Sequence, residues 1–147
     1  MRKLSIIVLL LSLAALGEKK TVEQLRADAE KSNGAHQALL YAELAELQVD
    51  TADQQFTAGD STKAQKIVQQ VLDDATRAHD GALSAHKKLK DVEIHLRETQ
   101  RHLENVRRTL AAEDRPPLEA VEKKLADFRQ DLLNEMFAPK KKKEREK

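Results

Sequence analysis

The side chains of this sequence best suited to chemistry are five histidines, His36, His79, His86, His95 and His102. Two metal ligands on one helix normally sit three or four residues apart, so that both reach the same ion. No two of these histidines have that spacing, and none has a glutamate three residues before it. His79 and His86, like His95 and His102, are seven apart, about 10.5 Å along a helix axis and beyond the reach of one ion. The nearest thing to a site is the stripe Asp91, His95, Glu98 and His102, with steps of four, three and four. That stripe suits a divalent metal, or a contact whose charge changes near neutral pH. It equally suits a solvated helix flank braced by acid–histidine pairs one turn apart. The flank is the expectation, with no metal and no cofactor.

Catalytic patterns are sparser still. There is no cysteine, so neither a thiolate nucleophile nor a disulfide is available. The chain lacks a Gly-x-Ser-x-Gly elbow and a glycine-rich phosphate loop. Ser61 and Ser84 have no evident partner base. The expectation is a protein that binds rather than catalyses. At the far end, Lys140, Lys141, Lys142 and Lys143 form a basic run that suits an anionic surface.

The elements that must position these groups are helices. Arg2 and Lys3 precede an apolar stretch from Leu4 to Leu13, and Ala15-Leu16-Gly17 places small residues after it. This is the pattern of an export signal cleaved before Glu18, predicting a periplasmic or secreted protein of 130 residues (147 less 17). Without Arg2 and Lys3, 24 basic side chains face 25 acidic ones. Residues 140–147 hold six basic and two acidic residues, so the rest of that chain has 18 basic against 23 acidic. An acidic body is a poor general nucleic-acid binder, and none is expected as a partner. Aromatics at 3% and charged residues at 35% suit long helices better than a broad core.

A heptad pattern runs from Ala64 to Leu110 through Val68, Val71, Ala75, Ala78, Ala82, Ala85, Leu89, Val92, Leu96, Leu103 and Val106, with Thr99 its one polar member. It predicts one long helix over about 62–112, continuous through Gly81, ended by Arg115-Pro116-Pro117. Thr21 and Gln24 predict a capping box and a first helix to about Lys31. Asn33-Gly34 predicts a break, then a second helix over about 35–57. Gly59-Asp60-Ser61 predicts a turn with a capping residue, and a fourth helix is expected over 118–137. Short loops make neighbours antiparallel. The expected fold is therefore all-α, an antiparallel helical hairpin or coiled-coil bundle (18–138) on one long central helix, with a disordered basic tail (139–147). Apolar surface for a partner, or for a second copy, is expected at Leu89, Leu96, Leu103 and Leu110 and at Leu40, Leu44 and Leu47.

The stretch from Phe56 through Gly59-Asp60 to Lys63-Ala64 resembles the helix–turn–helix junction of a tetratricopeptide repeat, in which an aromatic precedes Gly-Asp and a Lys-Ala or Glu-Ala opening. It occurs once and covers about 30 residues, with no second copy at the period of 34. The resemblance implies protein–protein binding. The overall plan of signal, long helical hairpin and lysine-rich end is similar to that of the Skp-type periplasmic chaperones, whose arms enclose unfolded clients; the acidic body here departs from their basic arms. The function expected first is an exported, non-catalytic scaffold or adaptor. A holdase-like chaperone and an amphipathic protein of the envelope or lipid surface are the alternatives.

Overall fold

A computed structural model of the chain describes residues 20–140; the expected signal segment 1–17 and Lys141–Lys143 lie outside them. The described residues form five α-helices and one short 3-10 turn. We label the helices α1 (Val22–Lys31), α2 (Gly34–Thr57), α3 (Ser61–Ala85), α4 (Leu89–Thr109) and α5 (Arg115–Phe137). The all-α class and the antiparallel hairpin packing expected from the sequence hold.

Local chemistry sets most of the boundaries. The Thr21 hydroxyl accepts from the Gln24 N–H at 3.2 Å, and the Gln24 side chain accepts from the Thr21 N–H at 3.1 Å, closing both sides of the capping box. Gly34 and Gly59 adopt positive φ of 60° and 83°, a conformation glycine takes without penalty. Asp60 caps α3 by accepting from the Lys63 N–H at 3.0 Å.

One expectation is corrected. The helix expected over 62–112 passes through Gly81 unbroken but ends at Ala85. His86 and Lys88 then take left-handed backbone angles, φ 50° and 60°, and α4 begins at Leu89. Nor do the prolines end it, since α4 stops at Thr109. Pro116 and Pro117 instead occupy the first turn of α5, where a missing N–H costs nothing.

The reversal at His86–Lys88 turns a rod into a four-helix bundle. Side-chain pairs give the directions. Tyr41 meets Arg77, and Gln48 meets Asp74, so α2 and α3 are antiparallel. Arg107 bonds Glu122 while Arg129 bonds Glu93, so α4 and α5 are antiparallel. Glu46 and Asp50 meet His95 and His102 in ascending order, so α2 and α4 are parallel. His79 and His86 meet Asp131 and Glu135 in the same way, so α3 and α5 are parallel. The main contacts run α2–α3, α3–α5, α5–α4 and α4–α2, with α1 laid on α2. α3 and α4 therefore face each other diagonally.

The heptad seam survives the reversal. Val68, Val71, Ala75, Ala78 and Ala82 from α3 and Val92, Leu96, Thr99, Leu103 and Val106 from α4 are all buried. The buried hydrophobic residues of α3 are only valine and alanine, so Leu44, Leu96, Leu103, Leu118, Leu125 and Leu132 carry much of the apolar burial, at about 1.5–3 kcal/mol each. Thr99 fits the seam because its hydroxyl donates to the His95 carbonyl at 2.7 Å. Among the described residues no buried side-chain polar atom lacks a partner.

Candidate functional site

The acid–histidine stripe points at another helix. His95 Nδ1 lies 2.6 Å from Glu46 and its Nε2 lies 4.0 Å from Glu43. His102 Nε2 lies 3.4 Å from Asp50. The two other members pair locally, Glu98 with Arg101 and Asp91 with Lys88 at 3.3 Å. Asp91, His95, Glu98 and His102 are thus divided among separate partners, and no group of three metal-competent side chains converges among the described residues. The α2 carboxylates were the unread half of this contact. Their signal was present: Glu43, Glu46, Asp50 and Asp53 follow helical spacing in a helix with no lysine or arginine.

The leucines expected to meet a partner are placed differently. Leu44, Leu96 and Leu103 are fully buried within the chain and Leu40 is 7% exposed. Leu47, Leu89 and Leu110 are half-buried against the same core. Within the chain, α5 and α2 already cover the α4 seam. A heptad pattern is the same whether its partner helix belongs to the same chain or another one.

Two other regions keep unsatisfied chemistry. The first is an open groove of about 450 Å³ where α1, α2 and α3 meet. Val22 and Ile67 supply its apolar lining, Gln48, Thr51 and Gln70 its neutral polar lining, and Lys63, Lys66 and Glu23 its charged lining. Neither lysine makes an ion pair among the described residues, although every helix around the groove carries acids. Beneath it a polar clamp fixes the three helices together. The Arg26 guanidinium donates to both Asp74 oxygens at 3.2 and 3.0 Å, and the Gln48 amide donates to the same carboxylate. The Asp74 side chain is only 3% exposed, so this bidentate, charge-assisted pairing is what makes its burial tolerable.

The second region is the end of the bundle where α3 and α5 finish. Phe137 is 81% exposed and is the one large exposed hydrophobic residue among those described. The contact between His86 Nδ1 and Glu135, at 2.8 Å, brings the His86–Lys88 reversal beside the last turn of α5. Lys87, Lys88 and Lys90 are exposed there, as is Lys140 beyond Pro139. No sequence feature announced this contact, since His86 and Glu135 are 49 residues apart.

At the N-terminus of α1, Lys20 donates to Asp28. That hydrogen bond and the lysine charge hold the Asp28 carboxyl below the usual carboxylate range.

No protein family, curated protein or solved structure matches this chain. None of the described helices is long and apolar enough to cross a membrane.

Proposed function

We propose that this is an exported, non-catalytic adaptor that works by binding a segment of another protein in the groove between α1, α2 and α3. The carrying observation is the pairing of an apolar lining, Val22 and Ile67, with Lys63 and Lys66, which outnumber the one lining acid, Glu23, and make no ion pair among the described residues. Hydrophobic lining with a cationic edge suits an amphipathic acidic segment, whose apolar face gains burial while its carboxylates meet the lysines. The groove lies on the α2–turn–α3 hairpin, the part of the chain that resembles a tetratricopeptide junction. The holdase alternative draws less support, because the reversal at His86–Lys88 replaces a long arm with a short bundle.

The test is site-specific photo-crosslinking in the native compartment, with a photoreactive residue in place of Gln70, which also lines the groove, or, as control, at position 101 on α4. Discrete protein adducts at 70, lost on Ile67→Glu and absent at 101, are expected. Absence of adducts at 70, or identical adducts at both positions, would contradict the proposal.

A further inference from the structure

We infer that the two halves of the bundle are held together by a histidine latch, which tightens on the acid side of neutral pH and loosens above it. One half is α1, α2 and α3, the other is α4 and α5, and the His86–Lys88 reversal joins them. Within each half, arginine makes the ion pairs between helices: Arg26 with Asp74 in the first, Arg107 with Glu122 and Arg129 with Glu93 in the second. Between the halves, every ion pair among the described residues is made by a histidine. No described lysine or arginine pairs across. Arginine keeps its charge throughout, whereas histidine changes charge between about pH 5 and 8. One set of contacts is therefore permanent and the other adjustable.

The latch spans both lateral interfaces. On the α3–α5 side, His79 Nε2 lies 3.0 Å from Asp131 and His86 Nδ1 lies 2.8 Å from Glu135. On the α4–α2 side, His95 meets Glu46 at 2.6 Å and Glu43 at 4.0 Å, and His102 meets Asp50 at 3.4 Å. The charged neighbours on the histidines' own helices do not cancel this. His79 Nδ1 also faces Asp80 at 2.7 Å, and its ring stacks on Phe128 of α5. Asp91 and Glu98 stand one turn to either side of His95, and their cationic partners are Lys88 and Arg101. Lys87, next to His86, is the one adjacent cation without an ion pair among the described residues. His79 shows most directly what the latch demands: a neutral imidazole has one N–H, yet both its ring nitrogens face carboxylates. Only the imidazolium donates to both. The other side-chain hydrogen bonds between the halves run from Ser61 and Gln65 to Asp114, at 3.1 and 3.3 Å, and use neutral donors. One exposed ion pair shifts an equilibrium by about two- to threefold, so four on the same interface multiply to on the order of 30-fold.

The sign follows from the charge. A contact that favours the imidazolium contributes in full below the ordinary histidine range and is lost as pH rises through it. Loosening weakens the cover over Leu96 and Leu103, which lie buried between the halves. The groove is lined by α1, α2 and α3 alone and so stays within one half. Urea denaturation at about pH 5.5 and about pH 8, either side of the histidine range, tests the latch through the unfolding constant extrapolated to water. That constant is expected to rise about 30-fold from the lower to the higher pH. A variant carrying E43Q, E46Q, D50N, D131N and E135Q keeps every histidine and alters only exposed or half-exposed side chains. Its rise should fall to about threefold or less, the remainder coming from His79 and Asp80. Arg129→Gln should raise the constant by the same factor at both pH values, because its ion pair does not titrate there. A constant that is flat or falls with pH in the unaltered protein would overturn the inference. So would the full rise persisting in the acid-neutralised variant. Ile67→Glu should leave the pH dependence unchanged, so a failure here and a failure of the groove proposal are distinguishable.

Discussion

A methyl group added to Gly81 would sit 3.0 Å from the Cβ of Ala38 and 3.7 Å from its Cα. The two residues mark a close approach of α2 and α3, which accounts for a glycine inside a long helix. On an exposed helix Gly→Ala would gain about 1 kcal/mol. Here the added carbon meets a Cβ fixed to a helix backbone, which has no rotamer through which to yield. Overpacking costs about 1–3 kcal/mol, so Gly81→Ala is expected to destabilise by about 1 kcal/mol net in urea denaturation. Combining it with Ala38→Gly should remove the clash. A gain in stability from the single change would mean that α2 and α3 are farther apart.

The same close approach governs Ala78 and Ala82, both completely buried. Ala78→Leu or Ala82→Leu is expected to cost about 1–3 kcal/mol, measured as a lowered denaturation midpoint at unchanged slope. Neutral behaviour at both positions would place these alanines in water.

The Arg26–Asp74–Gln48 clamp predicts an asymmetry. Arg26→Ala leaves a buried carboxylate with only the Gln48 amide, whereas the Arg26 side chain is 34% exposed and can recover water if Asp74 is removed. Breaking a fully buried pair costs about 3–5 kcal/mol, and partial exposure should bring Arg26→Ala to about 2 kcal/mol. Asp74→Leu should cost less. Amide hydrogen exchange should show α1 losing protection before the other helices in Arg26→Ala. Uniform loss across all five helices would refute a clamp specific to α1.

Much of this fold was legible in the sequence, and the failures have identifiable causes. The capping box at Thr21, the glycine turns and the buried seam from Ala64 to Val106 follow from residue type and period. The reversal at His86–Lys88 was invisible because Ala85 and Leu89 stay in heptad phase across it. A histidine and a lysine, rather than glycine, take the left-handed angles there. Gly81, through which the helix was expected to continue, also proves to be a contact with Ala38. The Leu96 and Leu103 seam was assigned to a partner for a related reason, since periodicity identifies a buried face without saying which chain buries it. His86 and Glu135 come together only after the reversal, so that contact could not be read before the fold.

Strain at that reversal supports a further prediction. A non-glycine residue in the left-handed region costs about 1–2 kcal/mol, partly offset by the greater freedom of glycine in the unfolded chain. Lys88→Gly is expected to raise stability by about 0.5–1 kcal/mol in urea denaturation. Destabilisation by a similar amount would show that the Lys88–Asp91 pair outweighs the backbone term.

Acid titration offers a local check at Lys20 and Asp28. The lysine stabilises the ionised carboxylate, so the folded-state value lies below that of the unfolded chain. The contribution is present above the ordinary carboxylate range and is lost as pH falls through the lowered folded value. Carbon-detected NMR should find Asp28 titrating at lower pH than an ordinary aspartate, and Lys20→Met should return it to the normal range. An unchanged Asp28 titration in Lys20→Met would rule out this cause.

The central claim is that the 64–110 seam folds back on its own chain at His86–Lys88. Because the chain has no cysteine, spin labels can be placed at Lys66→Cys and Arg108→Cys without competing sites, and their separation read by double electron–electron resonance. A continuous helix would set the two positions about 63 Å apart at 1.5 Å per residue. The folded-back bundle places both near the α3 N-terminus, where Gln65 bonds Asp114 at 3.3 Å, so a single population below about 30 Å, two to three helix diameters, is predicted. A dominant distance near the longer value, particularly in a protein whose light-scattering mass is that of a dimer, would contradict the account and return the seam to a second chain.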